Sequence, residues 1–188
     1  MISNDTKIKV TNRFNGGVGY NIPDLGNLER NFQSGETKTL TFEELFKLSQ
    51  IPGGEYILKN YLTLDNEEAA IELFNQEPEP EFFYTKEDVK NVLLNGTLDQ
   101  FEDCLNFAPL GVIEIIKELA VTLPLNDLAK RKMILDKTGF NVTKAIEIAE
   151  DDETEPVKSV QRKAAAPVKK TTSQEPQKIV RKVVAQTK

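Results

Sequence analysis

Two pairs of carboxylates stand at helical spacing, Glu114 with Glu118 and Asp99 with Glu102. Separations of three and four residues bring side chains together on one helix face, where a carboxyl that keeps its proton beside one that loses it could divide acid and base work. Solvated helix faces show the same spacing by default, and no companion group strengthens the catalytic reading. The chain has no histidine, so the commonest base at neutral pH and the commonest zinc ligand are both missing. The glycine clusters NGGVGY and IPGGEY contain neither a GxGxxG nor a GK(S/T) phosphate loop and read as turns. DDETE at 151–155 lacks the calcium-loop pattern and its twelfth-position Glu, and reads as a solvated helix end. The single cysteine, Cys104, lies three residues after Phe101 and next to Leu105, in a helical pattern that makes it a small buried apolar group rather than a reactive thiol. The residues therefore point away from an enzyme, with no catalytic, metal-binding or cofactor-binding set expected.

The elements that would position these groups can be read in order. Residues 7–41 carry short runs with β-branched or aromatic residues, KIKVTNR, VGYNI, LERNFQ and ETKTLTF, broken by the turn signals NGG, PDLGN and SGE. A small antiparallel sheet is expected. Thr41 with Glu44 three residues on predicts a capped helix with Phe42, Leu45, Phe46 and Ser49 on its inner face. After Pro52, Gly53 and Gly54, the residues Ile57, Leu58, Tyr61 and Leu62 predict a second short helix ending near Thr63. A further short helix runs from Asp65 to Phe74, and NQEPEPE then places two prolines among three glutamates, a segment that cannot join a helix or a central strand.

Beyond that break the pattern is helical. Thr85 and Thr97 read as helix caps, Gly96 and Gly139 as stops, and Asn126 or Asp127 and then Asn141 as later starts. The stretch Pro109 to Leu123 is the most apolar, with Val112, Ile113, Ile116, Leu119 and Ala120 in a stripe that Ile115 widens. Val142, Ala145, Ile146 and Ala149 repeat at the same period in the last helix. The expected class is α+β: a small antiparallel β-rich N-terminal unit with two short helices (1–74), an acidic proline-containing linker (75–82), a small all-α domain (83–150) and an extended basic C-terminal tail (151–188).

Charge divides along the same line. Of 24 Lys/Arg and 30 Asp/Glu, residues 156–188 hold nine bases and one acid, leaving 15 bases against 29 acids in residues 1–155. The basic segment also repeats itself: EPVKSVQRK at 155–163 returns twenty residues later as EPQKIVRK. The recurrence is either a by-product of biased composition or a pair of tandem linear motifs. In the second case Pro156, Lys158, Val160, Arg162 and Lys163, and again Pro176, Lys178, Val180, Arg181 and Lys182, present a stiffened extended segment, a valine to bury and cations for an acidic partner. The alternative partner is nucleic acid. With no aromatic residue in the segment to stack on bases, such contact would be weak, salt-sensitive and nonspecific. The acidic body, or that of a neighbouring copy, is a third partner for the same charge.

The N-terminus MISNDTKIKV has no apolar signal core, and no window of about 18 uninterrupted apolar residues could cross a bilayer, so neither export nor membrane insertion is expected. Two stretches, GYNIPDLGNLERNFQSGETKTLTFEELFKLSQIPGGEYILKNYL and TLDQFEDCLNFAPLGVIEIIKELAVTLPLNDLAKRKMILDKTGFNVTKAI, cover most of residues 18–146. In phrases such as NIPDLG, IPGGEY, NFAP and LNDLAKR they resemble small virion structural proteins of tailed bacteriophages. The resemblance implies an accessory capsid, neck or tail component, present in many copies of a symmetric particle, assembled in the host cytoplasm and working by contact with other phage structural proteins. Its phrases contain no catalytic motif. The alternative expectation is a phage regulatory protein that holds nucleic acid with its basic tail.

Overall fold

The computed structural model describes residues 2–154. Strand β1 (Lys7–Asn12) alternates buried Ile8, Val10 and Asn12 with Lys7, Lys9 and Thr11 on the other face, as a strand covered on one side must. It lies between β4 (Thr37–Thr41) and β5 (Leu62–Leu64), antiparallel to both, with Ile8 opposite Leu40 and Val10 opposite Leu64. Strands β2 (Val18–Ile22) and β3 (Leu28–Phe32) form a separate antiparallel pair. Their connection is a 3-10 turn at Pro23–Leu25 followed by Gly26 and Asn27 at positive φ, 70° and 60°.

Helix α1 (Phe42–Gln50) starts where Thr41 accepts a hydrogen bond from the Glu44 amide, as the sequence suggests. The Glu44 side chain does not complete a capping box. It turns inward and ties α1 to the hairpin, accepting a hydrogen bond from the Tyr20 hydroxyl at 2.8 Å and a fork from Arg30 at 2.9 and 3.0 Å. That bond holds the Arg30 pKa above its ordinary value, while burial, reinforced by Glu44, raises the Tyr20 pKa. Helix α2 (Gly54–Asn60) follows directly, because Gly54 lies so close to α1 that a Cβ there would come within 1.7 Å of the Leu48 carbonyl oxygen. Helix α3 (Glu67–Phe74), capped by Asn66, completes this part.

Three details depart from expectation. The β region forms two sheets, not one. Leu62 and Leu64 belong to a strand rather than the end of a helix, because β1 offers them a free edge. The inner face of α1 is Phe42, Glu44, Leu45 and Leu48, whereas Phe46 is 45% exposed.

Five helices follow: α4 (Lys86–Asn95), α5 (Leu98–Phe107), α6 (Leu110–Thr122), α7 (Leu128–Thr138) and α8 (Val142–Thr154). Both predicted threonine caps are present as reciprocal boxes, Thr85 with Asp88 and Thr97 with Gln100. Thr85 also keeps the Asp88 carboxyl below its ordinary pKa by hydrogen bonding. Asp127 caps α7, and Gly139 ends it in the left-handed conformation. Helix α6 is the centre, with Val112, Ile113, Ile115, Ile116, Leu119 and Ala120 all buried. In α8, Val142 and Ile146 are buried, but Ala149 is exposed because the neighbouring helices cover only the first turns. Lys130 is a buried cation used as a cap: its ammonium donates to the carbonyls of Val92, Leu93 and Gly96 at the end of α4, and burial lowers its pKa.

The buried apolar side chains form two clusters. One draws on the strands, α1–α3 and Phe82; the other draws on α4–α8 and the turns between them. Segment 75–82 is anchored at its far end by a 3-10 turn, Pro80–Phe83, whose Phe82 is buried with its ring edge-on to Phe74 at 5.4 Å.

Candidate functional site

Where the two clusters meet, one side chain touches both parts of the body. Arg13, just past β1, is only 7% exposed. Its Nη1 donates to the Phe82 carbonyl at 2.7 Å, its Nη2 donates to the Leu62 carbonyl, and its guanidinium lies 4.6 Å from the centre of the Phe82 ring. The aliphatic stem is covered by Gly111 in the first turn of α6, where a Cβ would approach Arg13 Cγ to 2.4 Å. Only glycine lets the helix come this close. Burial brings the Arg13 pKa down to about 9, still well above neutrality, so the group remains a cation.

Asn60 makes a second link across the seam. Its Oδ1 accepts from the Leu110 amide at 3.4 Å, and its Nδ2 donates to the Tyr56 carbonyl at 3.1 Å. Around it are exposed apolar groups: Phe107 is 56% exposed, Tyr56 51% and Leu110 43%. The Tyr56 ring stands edge-on to Tyr61 at 5.7 Å, and Tyr61 packs on Phe14 at 4.9 Å. Next to Asn60 a groove of about 280 Å³ is lined by Lys59, Phe74, Pro78, Phe82, Phe107 and Pro109. A second cleft, also about 280 Å³, opens between the sheet and the start of α4, with Arg13 in its wall.

The carboxylate pairs do not form acid–base dyads. Glu114 pairs with Lys117 at 2.8 Å and Glu118 with Lys86 at 2.7 Å, and this second contact holds Glu118 below its usual pKa. Asp99 and Glu102 are exposed on α5. Among the described residues no group of three or more His, Cys, Asp or Glu could hold a metal ion. Cys104 is buried as expected, and burial, with a smaller push from Glu81, raises its thiol to about 12. No helix among the described residues is long and apolar enough to cross a membrane.

The motif residues Pro156, Lys158, Val160, Arg162, Lys163, Pro176, Lys178, Val180, Arg181 and Lys182 all lie outside the described residues. What sequence reasoning missed is Arg13. Its burial depends on Leu62, Phe82 and Gly111, all distant in sequence, and the one local hint was a glycine in the first turn of the most apolar helix, a usual sign of close approach. The fold is thus α+β, with antiparallel strands in the N-terminal part and helices throughout the rest. No family model, curated protein sequence or solved structure matches the chain.

Proposed function

We propose that this chain is a non-enzymatic structural protein of a tailed bacteriophage particle, whose folded body docks on another particle protein while its basic C-terminal segment straps neighbouring subunits. The observation that carries the reading is the apolar surface at the seam, where Phe107, Tyr56 and Leu110 stand exposed round Asn60 beside a groove. Aromatic side chains left open and close together are what a contact surface offers, and burying them on a partner is the driving force for association. The acidic body and basic repeat-bearing segment add a second mode of contact, and the phrases of residues 18–146 support the particle assignment by resemblance.

In this reading Val160 and Val180 fill equivalent apolar pockets on adjacent partner subunits, and Lys158 and Lys178 meet the same acid on each. Twenty residues of extended chain reach at most about 65 to 70 Å, a span that adjacent subunits can offer. Retention on purified particles through a salt wash tests both contacts. Val160→Asp alone should weaken attachment moderately, Val160→Asp with Val180→Asp should remove the avidity, and Phe107→Asp should weaken the body's own attachment. Parental retention by both the double variant and Phe107→Asp would overturn the docking scheme.

A further inference from the structure

Two apolar surfaces on the last helices are left uncovered, and their charges are opposite. On α7, Leu128 is 74% exposed and Leu135 40%. Seven residues apart, they share one helix face, with Arg131 and Lys132 between them. Together with Asn141 and Thr143 these residues line a groove of about 230 Å³ that holds two cations and no carboxylate. Arg131 is fixed in place there, its Nε donating to the Leu125 carbonyl and its Nη1 to the Thr143 hydroxyl at 3.3 Å. The acids of this helix are turned elsewhere: Asp127 caps it, and Asp136 lines a separate groove with Glu102 and Leu105 of α5. A basic apolar groove stands out on a body of 15 bases and 29 acids.

The other surface is the end of α8. Past Ile146 the helix is uncovered: Glu147, Ile148, Ala149, Glu150 and Asp151 are all exposed, Ile148 at 62%. The helix, VTKAIEIAEDDET, holds five acids and one base, Lys144. An isoleucine among acids is the chemical complement of leucines among cations, and bringing the two together takes apolar surface on both sides out of water. Within one chain they stay apart. Ile148 lies about 9 Å along α8 from Val142 at the groove's edge, and a continuous helix cannot bend back to fill the groove. A second copy can fill it.

We infer that the α7 groove receives the acidic end of α8 from a second copy of this chain, with Ile148 between Leu128 and Leu135 and Glu147 against Lys132. Groove and helix end are different patches, so the contact repeats head to tail from copy to copy. It does not rest on the particle assignment. At physiological salt, charge acts over about 8 Å, which screens the net repulsion between acidic bodies and leaves the paired charges in contact.

Sedimentation velocity of the full chain at physiological salt, between about 0.01 and 0.5 mM protein, tests this. A helix end in a groove is a small contact, so the parent should be monomeric at the low end of that range and associated at the high end. Ile148→Asp and Leu128→Asp alter exposed positions, and each should weaken association about tenfold with the melting temperature unchanged. Lys132→Glu and Glu147→Lys, also at exposed positions, should each weaken it by roughly three- to tenfold. Combined in one chain, these two substitutions exchange the charges across the contact and should regain most of that loss. A parent that stays monomeric throughout would overturn the inference. Association unchanged in Ile148→Asp and Lys132→Glu would place it on another surface, such as the seam or the basic segment, and would overturn it equally. So would a charge exchange that regains nothing.

Discussion

Ile116→Asp should unfold the helical part of the body. Ile116 lies in the middle of α6, 1% exposed, among Val112, Ile113, Leu119 and the side chains of the neighbouring helices. A carboxylate there would lose the apolar packing and gain no partner, at a cost on the order of 3 to 5 kcal/mol, comparable to the whole stability of many small domains. Far-UV circular dichroism should lose helical signal on heating well before the parent does. An unchanged melting temperature would mean that the stripe on α6 faces a partner or water.

Arg13→Met should loosen the joint between the two clusters. Methionine keeps an unbranched stem under Gly111 but leaves the Leu62 and Phe82 carbonyls without the donors they have now. Each buried carbonyl left unpaired costs about 1 to 3 kcal/mol, and removing a desolvated cation returns part of that, so the net loss should be about 2 to 4 kcal/mol. Chemical denaturation would read it as a lower midpoint, with the anchored turn at Pro80–Phe83 becoming more open to proteolysis. A midpoint equal to the parent's would show that other donors reach those carbonyls.

Features determined within a few residues were legible in the sequence. The caps at Thr41, Thr85, Thr97 and Asp127, the stop at Gly139 and the buried stripe of α6 depend on local spacing, and the structure has each of them. Features that depend on a distant partner were not legible. Leu62–Leu64 is three residues long, too short for its own pattern to declare a strand, and becomes one because β1 lies beside it. On α1, spacing alone allowed Phe46 to join Phe42 on the inner face. The helix is instead turned so that Glu44 meets Tyr20 and Arg30 from the hairpin, which brings Leu48 in and leaves Phe46 out. Lys130 reads as a surface lysine until α4 ends beside it with three carbonyls to satisfy. Arg13 follows the same rule, buried by partners that no local pattern announced.

The proposed role requires this protein to be part of an assembled particle and to work there by contact. Quantitative mass spectrometry of purified phage particles tests it most directly, by measuring the copy number of this chain against a particle protein of known symmetry. A particle component should show a fixed copy number that matches the symmetry of the site it occupies and survives further purification. Absence from the particles, together with salt-dependent binding of the purified protein to DNA or RNA, would contradict it and favour a regulatory protein acting through the basic segment.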